Sequence, residues 1–200
     1  MKSSFSVRLV KCGIWFGALL PVCYALWWVM TGRAVNPIEW MSRESGWWTL
    51  FFLCLTLVIT PLRQWSNYSV LIKFRRLLGL FAFFYAFLHV MVYVGFDQFF
   101  DVGAIVADVW KRPFITMGAL SFVLMVPLAV TSTEGWMRRL KRRWGALHRL
   151  VYPCAVAGVV HFWWLVKRDL TEPMAFALVL AGLLGWRIVR WWKKKTVSPR

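Results

Sequence analysis

Six long apolar segments, separated by short polar stretches, set the hydrophobic pattern of the chain. They occupy residues 12–30, 46–62, 77–96, 113–131, 147–166 and 173–192. A helix of about 20 apolar residues crosses the hydrocarbon core of a bilayer, and about 17 residues still suffice. The pattern therefore predicts an all-α integral membrane bundle of six transmembrane helices. Because the connections between the segments are too short to fold separately, we expect a single domain over residues 1–200.

The first apolar segment also has the basic flank of a secretory signal peptide, since Lys2, Arg8 and Lys11 come before its core. It continues through Trp27 and Trp28 without a small-residue cleavage motif, and we interpret it as a transmembrane helix. Tryptophan at the ends of apolar segments is typical of side chains that contact membrane lipid at the interface.

The basic residues are distributed unevenly between the two sides of the predicted bundle. The chain carries 25 Lys and Arg against 8 Asp and Glu, which gives a net charge of +17. With the N-terminus inside, only six basic residues fall on the outer side: Arg33, Arg43, Lys111, Arg112, Lys167 and Arg168. An excess of Lys and Arg marks cytoplasmic loops, so both termini are predicted to be cytoplasmic. The charge is then a topology signal, and we expect no nucleic-acid partner.

All 3 histidines lie within or beside apolar segments. His89 follows Arg75 and Arg76 on the third segment, and His161 follows His148 on the fifth, in each case by 13 or 14 residues. At 1.5 Å per residue, His89 and His161 therefore lie about 20 Å from the cytoplasmic end of their helices. Two imidazoles at one depth on different helices can hold a haem iron from both sides. The spacing predicts His89 and His161 as a pair of axial ligands.

The third histidine, His148, lies at the cytoplasmic end, and Arg75 is at the matching depth on the third segment. Arginine pairs with a haem propionate or a flavin phosphate rather than with iron, so an asymmetric inner site is predicted. On an ideal helix His148 and His161 would lie about 140° apart. Pro153 lies between them and can kink or locally unwind the helix, which would bring both to one face.

Other chemistries fit the residues less well. No H-x-x-H or H-E-x-x-H motif is present for zinc, and the four scattered cysteines are interpreted as small apolar side chains. No internal repeat is evident in the sequence. Three alternatives stay open: a ferric reductase, a quinol-oxidising cytochrome b with another partner, and a non-redox membrane protein with structural histidines.

Several motifs, in order along nearly the whole chain, resemble the MsrQ (YedZ) family. This family lies within the ferric-reductase-like transmembrane group, which includes the membrane halves of NADPH oxidases. The motifs are TPLRQW, LIKFRRLLGLFAFFYAFLHVMVYV, RPFITMG, TSTEGWMRRLKRRWGALHRLVY and VVHFWWLVK. The resemblance implies a b-type haem protein of the bacterial inner membrane, with one or two haems and with FMN as a further cofactor. It implies His89, His148 and His161 as haem ligands.

The resemblance also implies partners. Electrons would pass to MsrP, a periplasmic molybdopterin enzyme that reduces methionine sulfoxide in oxidised proteins, and would come from a cytoplasmic flavin reductase or a quinol. The chain would be the electron-transfer subunit of an oxidoreductase, with the sulfoxide-reducing site in the partner and no catalytic residue of its own. Arg75 stands where the NADPH-oxidase relatives carry a fourth histidine, so haem or FMN is expected at the inner site near His148. The basic loop 138–149 is expected to dock the donor or to hold a phosphate or propionate.

Overall fold

The part of the chain that the structure describes is helical and contains no strand. The computed structural model describes the backbone of residues 2–197 and the side chains of residues 7–193, 195 and 196. Its α-helices are α1 (Lys2–Met30), α2 (Pro37–Ser66), α3 (Ile72–Val92), α4 (Val102–Lys111), α5 (Pro113–Val130), α6 (Glu134–Leu140), α7 (Arg142–Leu147), α8 (Val151–Leu165) and α9 (Thr171–Val197). Short 3-10 helices occupy Ser69–Leu71 and His148–Leu150, and a π-helical turn occupies Tyr93–Asp97.

Each of the six predicted apolar segments is largely helical, which confirms the all-α class. Five helices among the described residues are long and apolar enough to cross a membrane: Val7–Met30, Pro37–Ser66, Ser69–Asp97, Pro113–Val130 and Thr171–Lys193. The remaining predicted span corresponds to α8, which has only 15 residues. The count of six spans therefore stays a prediction. The cytoplasmic location of the termini also stays one, and residues 1 and 198–200 lie outside the described part.

Contacts between the helices form two compact units, residues 1–108 and 109–200. In the first unit α2 packs along α3. The start of α2 is defined by Asn36, whose side chain accepts a hydrogen bond from the backbone N–H of Glu39, and by Pro37 in the first helical turn. Aromatic side chains fill the interface, where the rings of Phe52 and Tyr85 stack with centroids 5.5 Å apart. The single domain predicted over the whole chain stays a prediction.

The Tyr85 hydroxyl joins α3 to α1. It is fully buried within the first unit and donates a hydrogen bond of 2.6 Å to the backbone carbonyl of Ala18. We expect Tyr85→Phe to lower the free energy of unfolding by about 1 kcal/mol, because the variant keeps the ring and loses only this bond. Unfolding by SDS in mixed micelles measures the change. Tyr24→Phe, at a half-exposed ring on α1, is the control and should leave the stability unchanged.

In the second unit α5 packs against α8. One buried face of α8 consists of small residues, namely Cys154, Ala155, Ala157 and Gly158. Small residues let membrane helices approach closely. The hydroxyl of Ser121 on α5 donates to the Cys154 carbonyl at 3.0 Å, and the Cys154 thiol lies 3.4 Å from the Ser121 carbonyl oxygen. This reciprocal contact fixes the register of the two helices.

Candidate functional site

His89 lies near the carboxyl end of α3, half-buried against α2. Its Nδ1 atom is 2.8 Å from the backbone carbonyl oxygen of Ser42. The hydroxyl oxygen of Ser45 lies 3.4 Å from the same nitrogen, and that hydroxyl donates to the Met41 carbonyl at 2.7 Å. Because a carbonyl oxygen can only accept, Nδ1 carries the proton of the neutral ring.

His161 has the same kind of partner in the second unit. It lies near the carboxyl end of α8, and its Nδ1 atom is 2.6 Å from the backbone carbonyl oxygen of Phe114. Phe114 is the second residue of α5, whose first residue is Pro113. Here too the acceptor is a carbonyl, so the proton lies on Nδ1 and the lone pair on Nε2.

These two histidines fit the donor set of a haem iron. A histidine that ligates a metal usually donates its other ring N–H to a carbonyl or carboxylate, which fixes the tautomer and the ring orientation. The carbonyls of Ser42 and Phe114 are placed to serve this purpose if His89 and His161 bind an iron. In both rings Nε2 is the nitrogen in the state that binds iron.

His148 differs from the other two histidines. Its Nε2 atom lies 3.1 Å from the hydroxyl oxygen of Thr131, and that hydroxyl donates its proton to the Pro127 carbonyl at 2.6 Å. The hydroxyl therefore accepts from His148, so the proton lies on Nε2 and the lone pair on Nδ1. The ring also stacks on Trp144, with centroids 3.9 Å apart, and the Trp144 indole donates to the Thr131 carbonyl at 2.9 Å.

The α-helix is interrupted between His148 and His161, close to Pro153. The interruption is the 3-10 helix His148–Leu150, and Pro153 is the third residue of α8, which follows. In an α-helix the proline ring would clash with the carbonyl four residues earlier, at Arg149. A 3-10 helix turns by about 120° per residue, whereas an α-helix turns by about 100°. The three residues in the 3-10 helix therefore reduce the angle between His148 and His161 around the helix axis from about 140° to about 80°.

Arg75 lies half-buried on the same continuous helix as His89, about 21 Å from it along the axis. The basic residues of the predicted inner loop are exposed: Arg138, Arg139, Lys141, Arg142, Arg143 and Arg149. The guanidinium of Arg139 lies 5.7 Å from the ring centre of Trp136. Among the described residues, no group of three or more His, Cys, Asp and Glu side chains could hold a metal ion.

The sequence reasoning missed the groups that hold the histidines. Ser42 and Phe114 contribute backbone carbonyls, which leave no trace in side-chain chemistry. Thr131 and Trp144 lie within the same TSTEGWMRRLKRRWGALHRLVY motif as His148. Their closeness to His148 in the sequence could have identified them as its contacts.

Comparisons with known proteins agree on one family. Residues 45–159 match the family model of the ferric reductase like transmembrane component. Two relatives bear the name protein-methionine-sulfoxide reductase heme-binding subunit MsrQ. The one from Herminiimonas arsenicoxydans is 48% identical, over 95% of this chain and 89% of its own length. The one from Xanthomonas euvesicatoria pv. vesicatoria (strain 85-10) is 46% identical, over 96% of this chain and 90% of its own length. No solved structure matches the chain significantly.

Proposed function

The chain belongs to the MsrQ family, within the ferric reductase-like transmembrane components, and we propose that it carries electrons through the membrane on b-type haem. The observation that carries this proposal is the matched state of His89 and His161, each with Nδ1 bonded to a backbone carbonyl and with its lone pair on Nε2. A haem bound there would take up and release single electrons at its iron.

We assign His89 and His161 to one haem near the outer side. The support for this proposal is the equal rise along the chain from the predicted cytoplasmic end to each histidine and the equivalent hydrogen bond that each ring makes within its own unit. The work of the protein at this site is to orient the two rings, to hold a proton on each Nδ1 atom and to keep water away from the cofactor. A hydrogen bond from Nδ1 makes the imidazole a stronger electron donor, which favours the ferric state.

We assign His148 and Arg75 to a second, inner site that takes a haem or FMN. The opposite tautomer of His148 supports its separation from the outer pair, because its Nε2 proton is committed to Thr131. Arg75 supplies a permanent positive charge for a propionate or a phosphate. The exposed basic residues of the loop 138–149 lie close to His148 in the sequence and suit an acidic donor protein or a phosphate group.

The proposed route runs from the cytoplasmic side to the outer side of a bacterial inner membrane. A flavin reductase or a quinol would reduce the inner site, and the outer haem would reduce MsrP, a periplasmic molybdopterin enzyme that repairs methionine sulfoxide. The family membership and the names of the relatives, which refer to methionine sulfoxide reductase, support this acceptor. The sulfoxide-reducing site would lie in that partner.

The acceptor can be tested with the protein in detergent or in proteoliposomes. The haem is reduced with dithionite, excess reductant is removed, and the periplasmic molybdopterin reductase is added together with methionine sulfoxide. We expect haem oxidation beyond the electrons that the reductase itself can accept only when both are present. Oxidation that needs ferric iron and ignores the reductase would instead identify a ferric reductase.

The topology makes a separate prediction. With six spans and both termini inside, alkaline phosphatase fused after residue 100 or 168 should be active, because that enzyme folds only in the periplasm. A fusion after residue 141 should be inactive, and a fluorescent protein fused after residue 200 should fluoresce. If α8 does not cross the membrane, the fusions after residues 141 and 168 will report the same side.

A further inference from the structure

The surroundings of His89 recur around His161. Each histidine follows the residue whose carbonyl it contacts by 47 positions. A glycine lies four residues after each of these carbonyls, Gly46 in α2 and Gly118 in α5, and touches the imidazole. The two sets correspond residue by residue with a constant shift of 72 positions: Ser42 corresponds to Phe114, Gly46 to Gly118 and His89 to His161. Each unit thus contains one copy of the same device, built from two helices.

The two glycines lie where a side chain would collide with the ligand ring. A Cβ atom at Gly118 would be 2.9 Å from Nδ1 and 3.0 Å from Cε1 of His161. At Gly46 a Cβ atom would be 3.2 Å from both Nδ1 and Cε1 of His89. Separations under 3.0 Å require the ring to move, and separations near 3.2 Å require a smaller adjustment.

The geometry of the α-helix explains the spacing of four residues. The carbonyl of residue i points towards the N–H of residue i+4, so the side chain of residue i+4 stands beside that carbonyl. A carbonyl oxygen has two lone pairs and can accept a second hydrogen bond. An imidazole from another helix reaches this oxygen only if residue i+4 leaves room for the ring. Glycine leaves that room at both sites.

We propose that Gly46 and Gly118 are positioning residues, one for each haem-ligating histidine, that let Nδ1 bond to the helix backbone and so fix the plane of each ring. The inference rests on the proposed haem function. The packing is closer at Gly118 than at Gly46, since a Cβ atom there would lie nearer to the imidazole ring. The hydrogen bond of His161 to the Phe114 carbonyl is also shorter, 2.6 Å against 2.8 Å for that of His89 to Ser42.

The test compares Gly118→Ala and Gly46→Ala with two matched controls. Gly79→Ala is also at the α2–α3 interface, but its Cβ would lie at an ordinary 3.7 Å from the Thr56 methyl carbon, and Gly182→Ala on α9 would meet nothing within 4 Å. Inside a helix, alanine is more favourable than glycine by about 1 kcal/mol. A purely structural effect on the helices would therefore stabilise the protein.

The readouts are the low-spin EPR g values of the oxidised haem and the haem content per polypeptide, with size-exclusion chromatography as the check on folding. For Gly118→Ala we expect shifted g values and haem retention weaker by about 10-fold, the scale for lost support of a ligand. Gly46→Ala should shift the g values less, and both controls should match the wild type.

Wild-type g values and haem content in both Gly118→Ala and Gly46→Ala would overturn the inference, and so would equal shifts in the controls. If Gly118→Ala does not fold, the test rests on Gly46→Ala alone. The inference is then overturned if the g values of Gly46→Ala equal those of Gly79→Ala. A wild-type protein without any low-spin haem signal would instead overturn the proposed function itself.

Discussion

We expect His89→Ala and His161→Ala each to abolish the low-spin ferric haem signal of the purified protein. A low-spin haem with two imidazoles needs both axial ligands, so the loss of either one should remove the signal completely. The carbonyls of Ser42 and Phe114 hold one ring each, and no second histidine lies on α3 or α8 to replace a lost ligand. EPR and absorption spectra of the two variants measure the effect.

Two controls separate ligand loss from general damage. Added imidazole should restore part of the low-spin signal in a folded variant, because it can occupy the space that the deleted ring leaves. His148→Ala should keep the outer low-spin signal. If His148→Ala removes that signal and His161→Ala leaves it intact, the pairing of His89 with His161 is wrong.

The second large effect is expected at the inner site. When a cytoplasmic flavin reductase supplies the electrons, His148→Ala should slow reduction of the outer haem at least about 10-fold. The reason is that the variant loses the haem or FMN proposed at the inner site, between the donor and the outer haem. Thr131→Val keeps the shape of the side chain and removes the hydroxyl that accepts from His148. It should give a smaller decrease of the same kind. Stopped-flow measurement of haem reduction follows both.

Thr31→Val is the matched control for Thr131→Val. Thr31 follows the last residue of α1, and its hydroxyl donates to the Trp27 carbonyl of that helix at 2.9 Å, so its removal should leave the reduction rate unchanged. Equal reduction rates in the wild type and His148→Ala would show that electrons bypass this site. Reduction by dithionite should stay fast in every variant that retains the outer haem, which distinguishes slow delivery from a lost cofactor.

The helices of the apolar segments could be predicted because they depend on local sequence, whereas the depth of the histidines stays a prediction. Runs of apolar residues identify helices without knowledge of their neighbours, and a rise of 1.5 Å per residue converts sequence distance into depth. On this basis the sequence predicts His89 and His161 as a pair, and this pairing stays a prediction. The short helices α4, α6 and α7 were missed, because they lie in connections that are shorter than a membrane span.

The hydrogen bonds of the histidines could not be predicted in this way. Their partners at Ser42 and Phe114 are backbone oxygens, which every residue possesses, so the sequence contains no distinguishing side chain. Gly46 and Gly118 did leave a signal, since each precedes its histidine by the same distance. When the sequence is compared with itself at a shift of 72 positions, few other residues are identical. The repeat is therefore visible in the geometry of the site rather than in sequence identity.

The tautomer of His148 also depended on three-dimensional contacts. Its Nε2 proton follows from the direction of the Thr131 hydroxyl, and that direction follows from the Pro127 carbonyl. The sequence predicted a different depth for His148, in an asymmetric inner site with Arg75, but it could not predict which ring nitrogen carries the proton. The contact with Thr131 supplies that difference from His89 and His161.

The absorption spectrum of the purified chain, oxidised and then reduced with dithionite, tests directly whether the protein binds haem. We expect a Soret band in the oxidised protein and sharp visible bands of a low-spin b-type haem after reduction. A folded, monodisperse protein without these bands, purified from cells that make haem, would contradict this expectation.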